Sequence, residues 1–260
     1  MINRSRLKSK LGPLLVVRAG VRALACQFGY HCVAGVKSLL VFAAEYSRLR
    51  RLNAGSPFEL RSVDIYPQLT DRTASTPIEP IYFLQDTWCA GRIAEIRPER
   101  HVDVGSSIRA MALIAQFAPV TFVDIRRIDI EVANLTFQSG SILKLPMADG
   151  SVASLSSLCV IEHIGLGRYG DPLDARGSEK AAAELTRVLA PRGDLYVSVP
   201  VDDVCRIYFN AHRAFTRDYI LSLFSQLRLV EERYIYGRTL VKDYRVAGGF
   251  GTGLYHFRRP

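Results

Sequence analysis

Cysteines are few and their spacing pairs none of them. There are five (Cys26, Cys32, Cys89, Cys159 and Cys205), an odd number, with no C-x-x-C among them. That argues against a disulfide framework or a zinc site and fits a reducing compartment. His31 beside Cys32 is not metal spacing, and no metal is expected. Long apolar runs are missing as well. No charge-free stretch, residues 23–36 included, exceeds 14 residues, where a membrane-spanning helix needs about 20. Residues 11–17 are too short an apolar run for a secretory core. Acidic side chains are nearly absent from residues 1–52, where Glu45 stands alone against ten basic residues (Arg4, Arg6, Lys8, Lys10, Arg18, Arg22, Lys37, Arg48, Arg50 and Arg51). The arm therefore carries the whole net charge of +9, because the rest of the chain holds 24 basic and 24 acidic residues. A basic charge spread over a domain would suggest nucleic acid; this segregation suggests an arm facing an anionic surface, and no nucleic acid partner is expected.

What is present centres on residues 101–126, HVDVGSSIRAMALIAQFAPVTFVDIR. The pattern predicts a strand over 100–104, a turn on Gly105, a helix over 107–117 and a second strand ending in Asp124. Asp103 closes the first strand, Gly105 lets backbone approach a ligand, and Asp124 follows Asp103 by 21 residues. An acidic residue at that spacing meets ribose hydroxyls. A dinucleotide would want G-x-G-x-x-G, and only its first glycine, Gly105, is present; counted as D-x-G-x-G-x-G from Asp103, Ser107 and Arg109 stand at the later positions. A first-strand Asp with a sparse glycine pattern looks more like the class I S-adenosylmethionine (SAM) methyltransferases, whose cofactor carries no phosphate.

Further along, residues 53–80 (SPFEL, TDRTASTPIEP) predict an irregular linker, and 85–96 a helix with Trp88, Ile93 and Ile96 on one face. Third and fourth strands are predicted over 135–139 and 154–160. The segment between them holds Gly140-Ser141-Ile142, where methyltransferases commonly place an acidic group on the adenine amine. Serine can accept that bond more weakly. After the fourth strand comes Glu162-His163-Ile164-Gly165-Leu166-Gly167-Arg168-Tyr169-Gly170-Asp171-Pro172, five functional side chains in a glycine-bent loop. A helix over 179–189 stops at Pro191-Arg192-Gly193, and a fifth strand spans 194–199. Phe209-Asn210-Ala211-His212-Arg213 again follows a strand's carboxyl end, a helix spans 219–227, and strands over 229–236 and 251–258 close the chain. The count is seven.

HVDVGS, TFVDIR, IEHIGLGRYGDP, LYVSVP, FNAHRAF and GLYHFRR resemble, in order and spacing, an uncharacterised methyltransferase-like family of unknown function often found among bacterial polysaccharide-biosynthesis genes. LPMADGSVASLSSLCVIEH and LTRVLAPRGDLYVSVP are similar to the broader SAM methyltransferase superfamily. The resemblance implies an α/β, Rossmann-like class I methyltransferase fold over residues 81–260, a seven-stranded, mostly parallel sheet with a last antiparallel strand. A basic helical arm (1–52) and a linker (53–80) would precede it.

The expected cofactor is SAM, held by Asp103, Gly105, Ser106, Ser107, Asp124, Ile125, Ser141 and Ile142. Methyl transfer to a hydroxyl gains from positioning and from a base, for which His163 and His212 are the candidates, Glu162 orienting one of them. Arg168, Tyr169, Asp171, Asn210 and Arg213 are the expected acceptor contacts, the guanidinium fork suiting a phosphate or carboxylate. The acceptor is expected to be a glycan, a glycan precursor or another small molecule. Residues 1–52 would rest on the inner face of the cytoplasmic membrane or pack on the domain. The competing expectation is a non-catalytic, Rossmann-like accessory subunit of membrane-associated polysaccharide assembly.

Overall fold

The computed structural model describes residues 36–260. Most of the expected basic arm, residues 1–35, lies outside the described residues. The chain divides into two compact units at Pro77/Ile78. In the first, helix α1 covers residues 36–52 and an irregular segment follows, with one 3-10 turn at Ser62–Asp64. An ion pair from Arg72 to Glu45 (2.5 Å) ties that segment back to α1.

The second unit begins with helix α2 (Pro80–Ile96), five residues earlier than periodicity predicts. Glu79 is its N-cap, accepting from the Tyr82 N–H at 2.7 Å, and Pro80 takes the first turn, where its missing N–H costs nothing. Strand β1 (His101–Val104), helix α3 (Ile108–Ile114), β2 (Val120–Asp124) and β3 (Leu135–Ser139) follow. Next are β4 (Val152–Leu158), helix α4 (Gly177–Val188) and β5 (Leu189–Val201). The chain ends with β6 (Arg206–Tyr208), β7 (His212–Ala214), helix α5 (Arg217–Leu223), β8 (Arg228–Tyr236), β9 (Thr239–Val241) and β10 (Gly251–Arg258).

The main sheet runs β3-β2-β1-β4-β5-β10-β8-β9, with β10 antiparallel to both neighbours and β1 parallel to β2 and β4. The seven predicted strands are all in it. An eighth, β9, adds at the edge beside β8, and β6–β7 forms a separate hairpin. The predicted break at Pro191-Arg192-Gly193 is a bulge inside β5, because pairing jumps from Val152–Leu189 to Ser154–Asp194. Arg192 takes a left-handed φ of 62° within it.

Alternation along the strands builds two cores. Val102, Val104, Leu155, Leu195, Val197 and Val199 face Ala181, Ala182 and Leu185 of α4 and Ile220 of α5. Val120, Phe122, Leu158 and Tyr196 face Trp88, Cys89 and Ile93 of α2 and Met111 and Ile114 of α3. The lone Trp is thus core, T-shaped against Tyr196 at 6.0 Å. The sheet lies between two helical layers. Its strand order reverses at β1, which places a crevice at the carboxyl ends of β1 to β4.

Candidate functional site

A cavity of about 120 Å³ sits in that crevice. Each strand delivers part of its wall: Val104 and Gly105 from β1, Val123 to Arg126 from β2, Gly140 to Leu143 from β3, and Cys159, Val160, His163 and Ile164 from β4. Tyr169 and Asp171 complete it. Gly105 has φ 73°, and a Cβ there would stand 3.2 Å from Val160, so glycine keeps the turn tight. The wall is mainly apolar, with Asp124 at one side and Ser141 at another. Ser141 Oγ accepts the Leu143 N–H at 3.2 Å.

Asp103, Ser106 and Ser107 do not line the cavity, contrary to expectation. Asp103 is fully buried. It accepts from the Ser106 N–H (3.0 Å) and Oγ (2.6 Å) and, at a very short distance, from Ser156 Oγ. Ser106 Oγ in turn accepts the Leu158 N–H at 2.8 Å. These bonds consume both side chains in shaping the β1 turn. Burial raises the Asp103 carboxyl to about 7, against the opposing bonds from Ser106 and Ser156. Ser107 is the N-cap residue of α3, with no side-chain capping bond.

Asp124 and Ile125 line the cavity. The Asp124 carboxylate accepts from the Arg126 N–H (2.7 Å), Nε (3.2 Å) and Nη2 (3.1 Å). Arg126 also lies over the Tyr169 ring, 5.1 Å from its centroid, and Arg168 lies over the same ring at 5.2 Å.

The loop after β4 separates the expected catalytic residues. His163 borders the cavity; its Nδ1 stands 2.7 Å from the Ala211 carbonyl, which fixes that nitrogen as the donor. Nε2 therefore carries the lone pair, 3.6 Å from Glu162 Oε1. Burial lowers His163 to about 4, so the ring is neutral at pH 7. Glu162 lies beneath, fully buried, pushed up to about 8 by desolvation, with Oε2 lacking a hydrogen-bond partner. His212 is on β7, off the cavity wall, flanked by Tyr208 (5.1 Å) and Phe250 (5.4 Å). Burial, then the Arg168 charge, lowers its pKa.

Two expected acceptor contacts are structural instead. Arg213 is buried and donates to the carbonyls of Ile164 (2.6 Å) and Asp174 (2.9 Å) and to Ser178 Oγ (3.2 Å). It clamps the post-β4 loop to α4. Asn210 is exposed at the hairpin tip, where its left-handed φ of 60° makes the turn. Asp171 closes the loop by accepting from Gly165 N (2.6 Å) and Tyr169 N (3.3 Å); these and other backbone bonds outweigh burial and lower its pKa. Arg168 donates to the Ala211 carbonyl at 3.0 Å.

With this geometry in view, three comparisons bear on the chain. A family model described as "Caenorhabditis protein of unknown function, DUF268" matches residues 147–232. No curated protein matches the sequence. Among solved structures, the N-methyltransferase NodS from Bradyrhizobium japonicum WM9 is similar at 18% identity and TM-score 0.51, over 70% of this chain and 97% of that one. The complex of NodS with S-adenosyl-L-homocysteine (SAH) is similar at 16% and 0.50, over 70% and 88%. A geranyl diphosphate methyltransferase in complex with SAM is similar at 13% and 0.52, over 68% and 85%. The fold is that of the Rossmann-like class I methyltransferases.

Within that fold, the cavity residues that went unpredicted are those of the wall rather than the motifs. Val123, Gly140, Leu143, Cys159 and Val160 follow from strand ends that could be located in sequence. Arg126 follows from nothing in the spacing, since its role depends on its pairing with Asp124. Gln85 ties α2 to the site: its Oε1 accepts from Ser198 Oγ (2.7 Å) and Cys159 Sγ (3.1 Å). Among the described residues, no group of three or more His, Cys, Asp or Glu could hold a metal ion, and no helix is long and apolar enough to cross a membrane.

Proposed function

We propose that this chain is a SAM-dependent methyltransferase. The observation that carries the reading is Asp124, a buried carboxylate on the wall of an apolar cavity at the switch point of the sheet. The residues suit a nucleoside: Asp124 for the ribose diol, Ile125, Ile142 and Leu143 for the base, and Gly105 for close backbone approach. The bound cofactor would supply a sulfonium methyl group. Everything else falls to the chain. The walls exclude water, and His163, neutral and with its lone pair on Nε2, accepts the proton of an acceptor hydroxyl. Glu162 is a positioning residue beneath it.

The acceptor in this reading is a hydroxylated, anionic glycan precursor. The sequence resemblance supports the glycan. Arg168 supports the anion, because among the described residues it has no acidic partner within ion-pair distance. Residues 1–52 would hold the enzyme against an anionic membrane surface. A second reading, a non-catalytic accessory subunit, is favoured by the Arg126–Asp124 pair and by a cavity narrower than the roughly 300–1,000 Å³ of ordinary ligand sites.

Calorimetric titration with SAM and SAH tests the cofactor. Wild type should bind both, and Asp124→Asn should bind SAH about 5- to 150-fold more weakly, from loss of roughly 1–3 kcal/mol of hydrogen bonding. Equal binding by a folded Asp124→Asn protein would sink the assignment. For the base, His163→Ala should lower kcat about 10²- to 10⁴-fold with labelled SAM and glycan precursors, while His212→Ala leaves SAH affinity unchanged. SAM binding without transfer to any precursor would favour the accessory subunit.

A further inference from the structure

Asp124 is the carboxylate given to the ribose, yet every side-chain hydrogen bond it accepts comes from Arg126. The guanidinium offers Nε and Nη2 as a two-pronged donor, one prong to each carboxylate oxygen. A vicinal ribose diol presents the same pattern, two adjacent donors to one carboxylate. Arg126 thus occupies, by its chemistry, the place of the diol.

Its other contacts cross the cavity mouth. Arg126 and Arg168 both lie over Tyr169, at 5.1 and 5.2 Å. Arg168 and His163 both bond the Ala211 carbonyl at the β6–β7 hairpin, at 3.0 and 2.7 Å. The line Asp124–Arg126–Tyr169–Arg168–Ala211 joins the loop after β2, the loop after β4 and the hairpin. Behind it the cavity is about 120 Å³, well below the roughly 300–1,000 Å³ of sites that enclose a small molecule. We propose that Arg126 is a latch: a nucleoside with a free 2′,3′-diol must displace it from Asp124, and that exchange releases Tyr169 and widens the site.

This rests on the methyltransferase reading, but its sign is its own. A residue that contacts the cofactor weakens binding when removed; a latch strengthens it. The Arg126 side chain is 65% exposed and Asp124 8%, so the pair is partly screened and its removal should not unfold the domain. Arg126→Ala should bind SAH about fivefold more tightly than wild type, close to 1 kcal/mol at 25 °C, with a faster association rate. Arg126→Lys, which keeps charge but not the fork, should fall between them. Raising salt from about 0.05 to 0.5 M should tighten SAH binding to wild type relative to Arg126→Ala, since both proteins share the screening of SAH's own charges and only wild type has the latch. Unchanged or weaker SAH binding by Arg126→Ala, alongside the expected loss in Asp124→Asn, overturns the latch and leaves the methyltransferase standing. Absence of SAH binding in wild type and both Arg126 variants overturns both.

Discussion

Glu162 and His163 are adjacent in sequence and opposite in response to burial. Desolvation disfavours whichever form is charged, so it raises the Glu162 carboxyl to about 8 and lowers the His163 imidazole to about 4. The pair is therefore neutral at pH 7, with the proton on the carboxyl and a lone pair on the ring. For a carboxyl raised from 4.5, the native state keeps a proton that the unfolded chain has released. Its contribution to stability is full below about 4.5 and is lost as pH rises towards 8. Wild type should lose melting temperature between pH 6 and 8.5, and Glu162→Gln should lose measurably less over the same window by scanning calorimetry. Parallel curves would show that Glu162 is already ionised in the fold. The same residue scale shows where sequence reading stops. Asp103 and Asp124 look alike as carboxylates ending parallel strands, yet one is consumed by Ser106 and Ser156 and the other lines the cavity.

At the scale of elements, α4 is docked by two small features. Gly177 opens the helix, and a Cβ there would stand 2.2 Å from the Ile164 carbonyl oxygen. Gly177→Ala must push the post-β4 loop away from α4, so a fall of several degrees in melting temperature and a weaker SAH affinity should appear together. Arg213 acts on the same joint from β7. Arg213→Ala leaves the half-buried carbonyls of Ile164 and Asp174 and the buried Ser178 short of a charged donor, and should cost roughly 1–3 kcal/mol by urea unfolding. If Arg213 were an acceptor contact instead, the variant would keep full stability and lose only acceptor affinity. Neither role was legible, because GLGRYGDP and FNAHR announce function by composition while their partners are set by how two loops meet. The seven strands expected of the main sheet were legible, and the short strands β6, β7 and β9 were not. β3 and β10 match their predicted limits residue for residue, since apolar runs between turn residues fix them. Helix α2 was half legible: its apolar face was visible, but the Glu79–Pro80 start resembled the end of the Ser/Thr/Pro-rich linker.

At the scale of the whole molecule, the charge segregation ends at residue 52 and the division between the two units lies 25 residues further on, at Pro77/Ile78. Residues 78–260 hold both hydrophobic cores and the whole cavity wall. A fragment of those residues should unfold in one cooperative transition and bind SAH as the full chain does. Full-length protein should bind anionic vesicles in a salt-sensitive way and the fragment should not, each basic residue near the surface contributing about 1 kcal/mol. Aggregation of the fragment would show that the preceding residues belong to the core.

The seven strands expected of the sheet, and the gathering of Gly105 and Asp124 at the carboxyl ends of β1 and β2, follow from sequence alone. Short apolar strands alternating with helices make a parallel sheet, and parallel strands bring their carboxyl ends to one edge, while their order across the sheet was read from the structure. What those ends do there was settled only by tertiary contact. Burial decides which carboxyl holds a proton, and distances of a few ångströms decide that Arg126 closes on Asp124 and that Arg213 disappears into a joint. Spacing along a chain carries no such information, because a hydrogen-bond partner is chosen in three dimensions.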